Sequence, residues 1–176
     1  MESLQTALLK DIARTYRNYK QLGERAIAQV SDEQLHALVD TDSNSIAIIV
    51  KHLAGNLRSR FTDFLKSDGE KPWRNRDEEF DDRAVTRQEF LAKWEQGWSV
   101  LFGALDGLTD ANLRDTITIR GQAHAVHEAL HRSVAHTSYH VGQMVYIAKA
   151  LRGDQWKSLS IPRGQSQSYV PQGPRG

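Results

Sequence analysis

The sequence contains no cysteine among its 176 residues. A chain without thiols forms no disulfide, no thiolate zinc site and no cysteine nucleophile, and the absence fits a reducing cytosol. The sequence also has almost no excess of charge of either sign, because 23 Lys and Arg balance 22 Asp and Glu to a formal net charge of +1. So small a surplus predicts no strong field for nucleic acid or an anionic membrane, and we expect neither as a partner.

Long apolar runs are missing as well. The longest one, Ile46–Val50, is far shorter than the roughly 20 residues of a transmembrane helix. Charged side chains interrupt the N-terminal segment early, so it lacks the apolar region of a signal peptide. These patterns predict a cytoplasmic protein. With 39% hydrophobic residues, a chain of this length is expected to form one domain with a core that needs no covalent support.

Apolar residues recur at helical spacing in four long segments. A short turn of helix is predicted between the first two, over Ser31–Leu38, and the third begins with a capping box, Thr86 with Glu89. The four long helices are predicted at Glu2–Val30, Ile46–Leu65, Thr86–Leu105 and Ala125–Leu151. Four such helices joined by three connections predict an all-α fold, a four-helix bundle.

The segments between the helices predict the domain organisation. The polar stretch Glu70–Val85 indicates a long connection between the second and third long helices, crossing the end of the bundle. Thr116–Ile119 alternates like a strand, but we expect only one or two extended residues there and no sheet. After Gly153 the chain is rich in Ser, Gly, Pro and Gln, which predicts an irregular tail. We therefore expect a bundle domain over residues 1–153 and a tail over residues 154–176, packed on the bundle or extending from it.

Most of the histidines lie close together near the C-terminal end of the chain: five of the seven fall between His124 and His140. Because a helix turns about 100° per residue, the rings of His136 and His140 point the same way and can bind one ion. This pair lies within or beside the apolar face of the fourth helix, so we expect it to point between helices. His127 and His131 have the same spacing but point the opposite way, and we expect them on the surface or at an interface.

A third ligand would have to come from another helix, and His52 is the only histidine of the second one. Core histidines that hydrogen-bond to their neighbours produce the same patterns, so spacing alone leaves the metal and structural interpretations open. Considered together, His52, His136 and His140 favour one shared divalent ion. Three imidazole ligands leave coordination positions open, which is typical of a catalytic site. No catalytic side chain is predicted.

Several polar residues are candidates for hydrogen bonding to the metal-binding histidines. A metal-binding histidine is usually held through its second ring nitrogen. Four residues are candidates for that role: Asn56, Glu128, Ser133 and Gln143. His124 is interpreted as a helix-start residue and His36 as a solvated one.

Three further patterns concern the core and the surface. Trp94 and Trp98, one turn apart, are predicted to lie in the core. Five arginines are interpreted as solvated charges, with a basic rim for an anionic substrate as the alternative: Arg58, Arg60, Arg74, Arg76 and Arg83. A second apolar row on the fourth helix motivates the prediction of a homodimer: Val134, Val141, Val145 and Ala148.

Several segments resemble the DinB/YfiT-like superfamily of metalloenzymes, specifically an uncharacterised branch of it. They are His52–Asn56 followed by Arg60, Ile119–Gly121, His136–Met144 and Trp156–Ser166. Together they extend over nearly the whole chain. The H-x-x-x-H-x-G-Q ending is fairly specific in combination with the second-helix histidine.

The resemblance implies a four-helix bundle, commonly dimeric, with a three-histidine metal site at His52, His136 and His140. The metal implied is zinc, nickel, manganese or iron. Some relatives are thiol-dependent transferases or isomerases, and others resemble metal-dependent hydrolases. The expected function is therefore a metal-dependent hydrolase or thiol-dependent transferase acting on an unknown small molecule. The alternatives are a non-enzymatic metal-binding or stress-response protein, and a structural interaction bundle without metal.

Overall fold

The computed structural model describes residues 2–81, 83 and 85–168. These residues are mostly helical, in agreement with the predicted all-α class, and they form five α-helices and one small sheet. The helices are α1 (Leu4–Ile27), α2 (Asp32–His36), α3 (Ile46–Phe61), α4 (Arg87–Asp106) and α5 (Val126–Arg152). The strands are β1 (Thr116–Ile119) and β2 (Gln122–Ala125), and short 3-10 helices cover Asp77–Phe80, Asp110–Arg114 and Gly153–Gln155.

Hydroxyl side chains determine where four of the helices begin. Ser3, Ser31 and Ser45 each accept a hydrogen bond from a backbone N–H in the first turn of the helix that follows. Such N–H groups have no partner within the helix itself. Thr86 does the same for Glu89, whose carboxylate accepts from the backbone N–H of Thr86 at 2.9 Å. The predicted capping box is therefore confirmed.

Helix α3 ends at Phe61, four residues before the predicted end at Leu65. Thr62 is extended, and Asp63 has a φ of 49°, a left-handed conformation through which a helix does not continue. The turn brings Phe64 onto Phe61, with ring centroids 5.0 Å apart and both rings buried. The helix therefore ends early where Phe64 becomes buried in the core. The apolar periodicity of the sequence does not predict this burial.

The long helices pack in two pairs. Helix α3 packs along α4, α1 packs along α5, and α3 also contacts α5. The α3–α4 pair comes closest at Gly97, where an added Cβ would lie only 2.8 Å from the Cα of Ala54. Trp94 and Trp98 are 1% and 0% exposed, so their predicted place in the core is confirmed.

A β-hairpin precedes α5, so the expectation of no sheet was wrong. Strand β1 pairs antiparallel with β2, and His124 lies on β2 opposite Ile117 instead of at a helix start. Arg120 and Gly121 form the turn with φ values of 54° and 71°. Two successive positive φ angles match the twist of a tight hairpin, and glycine accepts this conformation easily.

The hairpin is anchored to the loop that follows α3. The Asp68 carboxylate accepts hydrogen bonds from the backbone N–H groups of Glu70, Gly121 and Arg120, and these donors hold the pKa of Asp68 well below its usual range. The N–H of Gly69 donates to the Thr118 carbonyl at 2.8 Å. The hairpin is thereby placed next to α3.

The second apolar row of α5 packs within the chain itself. Val141 and Ala148 are fully buried, while Val134 and Val145 are half-buried against the same core. Two large side chains of α5 are exposed instead, Tyr139 at 55% and Tyr146 at 71%. The row that motivated a homodimer is therefore explained without a partner chain, and the homodimer stays a prediction.

The tail after α5 lacks regular structure beyond Gln155 in the described range, as predicted. Trp156 and Leu159 pack against the core, and the backbone of Lys157 exchanges two hydrogen bonds with the side chain of Gln29, at 2.8 and 3.0 Å. The rest of the predicted tail, 169–176, lies outside the described residues. None of the helices in the described ranges combines the length and apolar character needed to cross a membrane.

Candidate metal centre

Three histidines from two helices meet where α3 contacts α5. His52 lies on α3, and His136 and His140 lie one turn apart on α5. His52 and His140 are each 5% exposed, and His136 is half-buried. One nitrogen of each ring lies within 4.8 Å of the others, an arrangement that can hold a metal ion. The three residues named from the sequence therefore converge.

One pair of rings has the nitrogen separation of two ligands around one ion. The Nε2 atoms of His52 and His136 are 3.2 Å apart. Two nitrogens bound tetrahedrally at the usual zinc distance of about 2.0–2.1 Å would be separated by about 3.3 Å. The same 3.2 Å also suits a direct N–H···N hydrogen bond. The ring of His140 lies 4.8 Å from that of His52 and 4.6 Å from that of His136, centroid to centroid.

Two of the three rings are held through their second nitrogen. The Nδ1 of His52 donates to Glu79 Oε2 at 2.9 Å, and the Nδ1 of His140 pairs with Gln143 Oε1 at 2.9 Å. A carboxylate only accepts, so Nδ1 of His52 carries the proton and its Nε2 lone pair faces the cluster. Gln143 was among the four candidates named from the sequence. Glu79 was not.

Glu79 is itself held firmly. The Nε and Nη2 of Arg74 donate to its two carboxylate oxygens at 2.8 and 2.9 Å. Burial alone would raise the pKa of Glu79, but the hydrogen bonds from Arg74 and His52 outweigh it and leave that pKa below its usual range. Gly55, one turn of α3 from the ring, leaves the space that the carboxylate occupies, since a Cβ there would overlap it.

The sequence carries no local signal for this contact. Glu79 lies on the 3-10 helix Asp77–Phe80, 27 residues from His52, inside the stretch predicted only as a connection. The other named candidates have different surroundings. Glu128 caps α5 by accepting from the N–H of Ala125 at 2.9 Å, and Asn56 and Ser133 line the adjacent cavity.

The remaining histidines stand apart from the cluster. His127 and His131 are exposed, as expected, and the Nδ1 of His127 pairs with the carbonyl of Leu113 at 2.9 Å. His36 was expected to be solvated, but it is half-buried and its Nε2 pairs with the Val85 carbonyl at 3.1 Å. This contact joins α2 to the residues just before α4. The polar composition of the segment around His36 does not predict it.

Burial keeps the two α5 rings neutral. Burial first, and then the neighbouring His140 and His52 rings, lower the pKa of His136 to about 3. Burial and His52 lower the pKa of His140 to about 4, although Gln143 acts in the opposite direction. At neutral pH both rings are therefore unprotonated, the state in which imidazole binds metal.

A cavity of about 170 Å³ opens beside His52 and His136. Its lining includes Asn56, Ser133 and, among the described residues, five arginines. Three of the five arginines interpreted from the sequence as solvated lie here: Arg60, Arg74 and Arg76. The side chains of Arg60 and Arg74 are only 11% and 2% exposed, so the solvated interpretation was wrong for both.

Arg76 and Arg83 are exposed, as the solvated interpretation expects, and Arg58 is half-buried. The Arg83 side chain is 81% exposed, and Arg58 lies over the ring of Trp73 at 5.1 Å. On the opposite flank of the cluster, the ring of Phe80 lies 5.1 Å from that of His52 and the ring of Tyr139 lies 4.1 Å from that of His140. The cavity is therefore the polar, cationic side of the histidine cluster, and the aromatic rings flank the rest.

No curated protein and no solved structure shows a significant match to this chain. A family is nevertheless shown, because one family model covers almost all of the sequence that forms the helices and the histidine cluster. Residues 3–165 match the family described as "Protein of unknown function (DUF1572)", and the chain belongs to that family.

Proposed function

We propose that the protein binds one divalent metal ion through His52, His136 and His140. The observation that carries the proposal is the convergence of three imidazole nitrogens within 4.8 Å, and burial keeps the rings of His136 and His140 neutral. Glu79 and Gln143 support it by orienting two of the rings, as partners of metal-binding histidines do. Zinc, nickel, manganese and iron are the candidate ions, and nitrogen ligands suit the first two and iron best.

The proposed fold type is a four-helix bundle of the DinB/YfiT-like type, made by α1, α3, α4 and α5. The packing of α3 along α4 and of α1 along α5 supports it, as does a site drawn from facing helices. We propose residues 1–153 as the metal-binding domain and 154–176 as a tail. The homodimer is proposed on the resemblance alone, and the cytoplasmic location on the absence of cysteine. Sedimentation that finds only monomer at micromolar concentration would remove the homodimer.

The proposed activity is that of a metal-dependent hydrolase or a thiol-dependent transferase acting on a small molecule. When bound, a divalent ion with three histidine ligands activates a water or thiol as a nucleophile near neutral pH. The chain's own contribution is to leave one side of the cluster open to a cavity and to hold the rings of His52 and His140 through their second nitrogens.

Two other functions remain alternatives. A structural bundle accounts for the 3.2 Å contact between His52 and His136 as a hydrogen bond. It gives no reason for His140 to join them, or for the buried Glu79 and Arg74 behind His52. A non-enzymatic metal-binding or stress-response protein would use the same ligands and leave the cavity without a substrate.

Metal analysis separates these functions. Tag-free protein, purified without a nickel column, is expected to bind one equivalent of a divalent ion, and His140→Gln is expected to lose it. His131→Gln, on the exposed face of the same helix, is the matched control and keeps the ion. A protein that takes up none of the four candidate ions would overturn the metal site. A screen of ester, amide and thiol-plus-electrophile substrates, with and without metal, then separates enzyme from binder.

A further inference from the structure

The cavity beside the histidines carries an unusual charge. Among its described lining residues are five arginines and no carboxylate: Arg60, Arg74, Arg76, Arg120 and Arg132. Two glutamates stand just behind this lining. Glu79 neutralises Arg74, and Glu70 is shared among Arg60 and Arg120 at 3.3 and 2.9 Å and Arg74 at 3.8 Å. Two carboxylates facing five guanidinium groups leave a surplus of positive charge around the cavity.

In the described part of the chain, two of these groups, Arg60 and Arg74, have an unused donor at Nη1. The Nη2 of Arg60 reaches Glu70, but its Nη1 is buried and has no hydrogen-bond partner among the described residues. Burial lowers the pKa of Arg60, and the nearby Arg74 and Arg120 act in the same direction against Glu70. A buried donor without an acceptor is costly. An anion in the cavity would supply that acceptor and offset the mutual repulsion of the arginines.

Helical spacing aims this charge at the histidines. On α5, Arg132 precedes His136 by about one turn, and on α3, Arg60 follows His52 by eight residues, a rise of about 12 Å. Both rows face the same cavity. A ligand that touches the arginines therefore shares the cavity with His52 and His136.

Part of the remaining wall is apolar, next to the polar Asn56 and Ser133. Phe61, Phe64, Ile117 and Ile119 line the cavity between the arginines, and the hairpin supplies the two isoleucines. The volume of about 170 Å³ is close to that of cavities that hold one benzene molecule. An inorganic anion alone would leave these walls uncovered, so the best ligand carries an apolar group as well.

We propose that this cavity binds a small amphipathic anion, a carboxylate or a phosphoryl ester with a ring-sized apolar group. The guanidinium groups of Arg60 and Arg132 hold its anionic end, and the two phenylalanines and the hairpin cover its apolar part. This deepens the proposed function, on which it rests, by naming the substrate class of the histidine centre. The anion site itself belongs to the protein without metal and is tested there.

The test is calorimetric titration of metal-free protein in Tris chloride with phenyl phosphate, benzoate and the neutral benzyl alcohol. At least one anion is expected to bind about tenfold more tightly than the alcohol, because a charge-assisted hydrogen bond is lost with the charge. The tighter of the two anions identifies the anionic group. The proposal is overturned if neither anion binds better than benzyl alcohol.

Two variants locate the site. Arg132→Gln, an exposed side chain whose loss leaves the Glu70 and Glu79 pairs intact, is expected to weaken anion binding about tenfold. Arg114→Gln removes an exposed arginine away from the cavity and is expected to change nothing. If the two variants weaken anion binding equally, the binding reflects the overall charge of the protein, and the proposed site is overturned. Because no metal is present, failure of the metal site and failure of the anion site are separate results.

Discussion

At the scale of single residues, the chemistry of the centre depends on a chain of contacts behind His52. Arg74 holds Glu79 with two hydrogen bonds, and Glu79 holds the Nδ1 of His52 with one. The carboxylate stays ionised because those donors outweigh its burial. An ionised acceptor fixes the tautomer of the ring and increases the electron density on Nε2, the atom directed at the cluster.

Glu79→Gln is therefore expected to lower the affinity for the metal ion about 10–100-fold, the usual effect of losing such a partner. The amide still fills the space and accepts one hydrogen bond, but it carries no charge. Affinity is measured by competition with a chromophoric chelator. Glu78→Gln, the exposed neighbour on the same 3-10 helix, is the control and should bind like the unaltered protein. Equal affinities for the two variants would contradict the role of Glu79.

At the scale of elements, the contact between α3 and α4 depends on a missing side chain. Gly97 lies buried on α4, and a Cβ there would come 2.8 Å from the Cα of Ala54, which is backbone and cannot turn aside. Helix α3 also carries His52. The distance between these two helices therefore bears directly on where the histidine lies.

Gly97→Ala is expected to destabilise the protein by about 1–3 kcal/mol, because overpacking must push α3 away from α4. Gly103→Ala, on the same helix, has nothing within 4 Å of the added Cβ. It should stabilise the protein by about 0.5–1 kcal/mol through helix propensity alone. Urea unfolding monitored by circular dichroism compares the two. If both variants change the free energy of unfolding in the same direction, the contact between Gly97 and Ala54 has room for a methyl group.

At the scale of the whole molecule, the buried histidines link stability to pH. The pKa values of His136 and His140 are about 3 and 4 in the folded chain, against about 6.5 in an unfolded one. Between pH of about 7 and about 4 the unfolded chain therefore binds more protons than the folded chain. Stability rises with pH wherever this holds, so it falls as the solution is acidified through that range.

We expect the melting temperature of metal-free protein to fall from about pH 7 to about pH 5, where most carboxylates still stay ionised. His136→Gln, which removes one of the two titrating rings, should show a smaller fall. His131→Gln removes an exposed ring and should show the full one. Identical pH dependence in both variants would indicate that the cluster is not what senses the acid.

The local sequence was sufficient for those features that depend on neighbours along the chain. Helix periodicity placed the long helices to within a few residues, and the Thr86–Glu89 capping box was read directly. The i, i+4 spacing placed His136 and His140 on one face. The early end of α3 at Phe61 was missed because it goes with the burial of Phe64, which packs back onto Phe61 in the core.

By itself, the sequence determined the helical class, the core tryptophans and the shared face of His136 and His140, because periodicity and spacing act within a few turns of helix. Only the tertiary structure decided how those histidines are supported and what lies beside them. Glu79 meets His52 across 27 residues, and His136 meets it across 84. Arginines from α3, the connection, the hairpin and α5 gather around one cavity. Such contacts depend on how whole helices pack, and a local sequence pattern does not predict which distant residues meet.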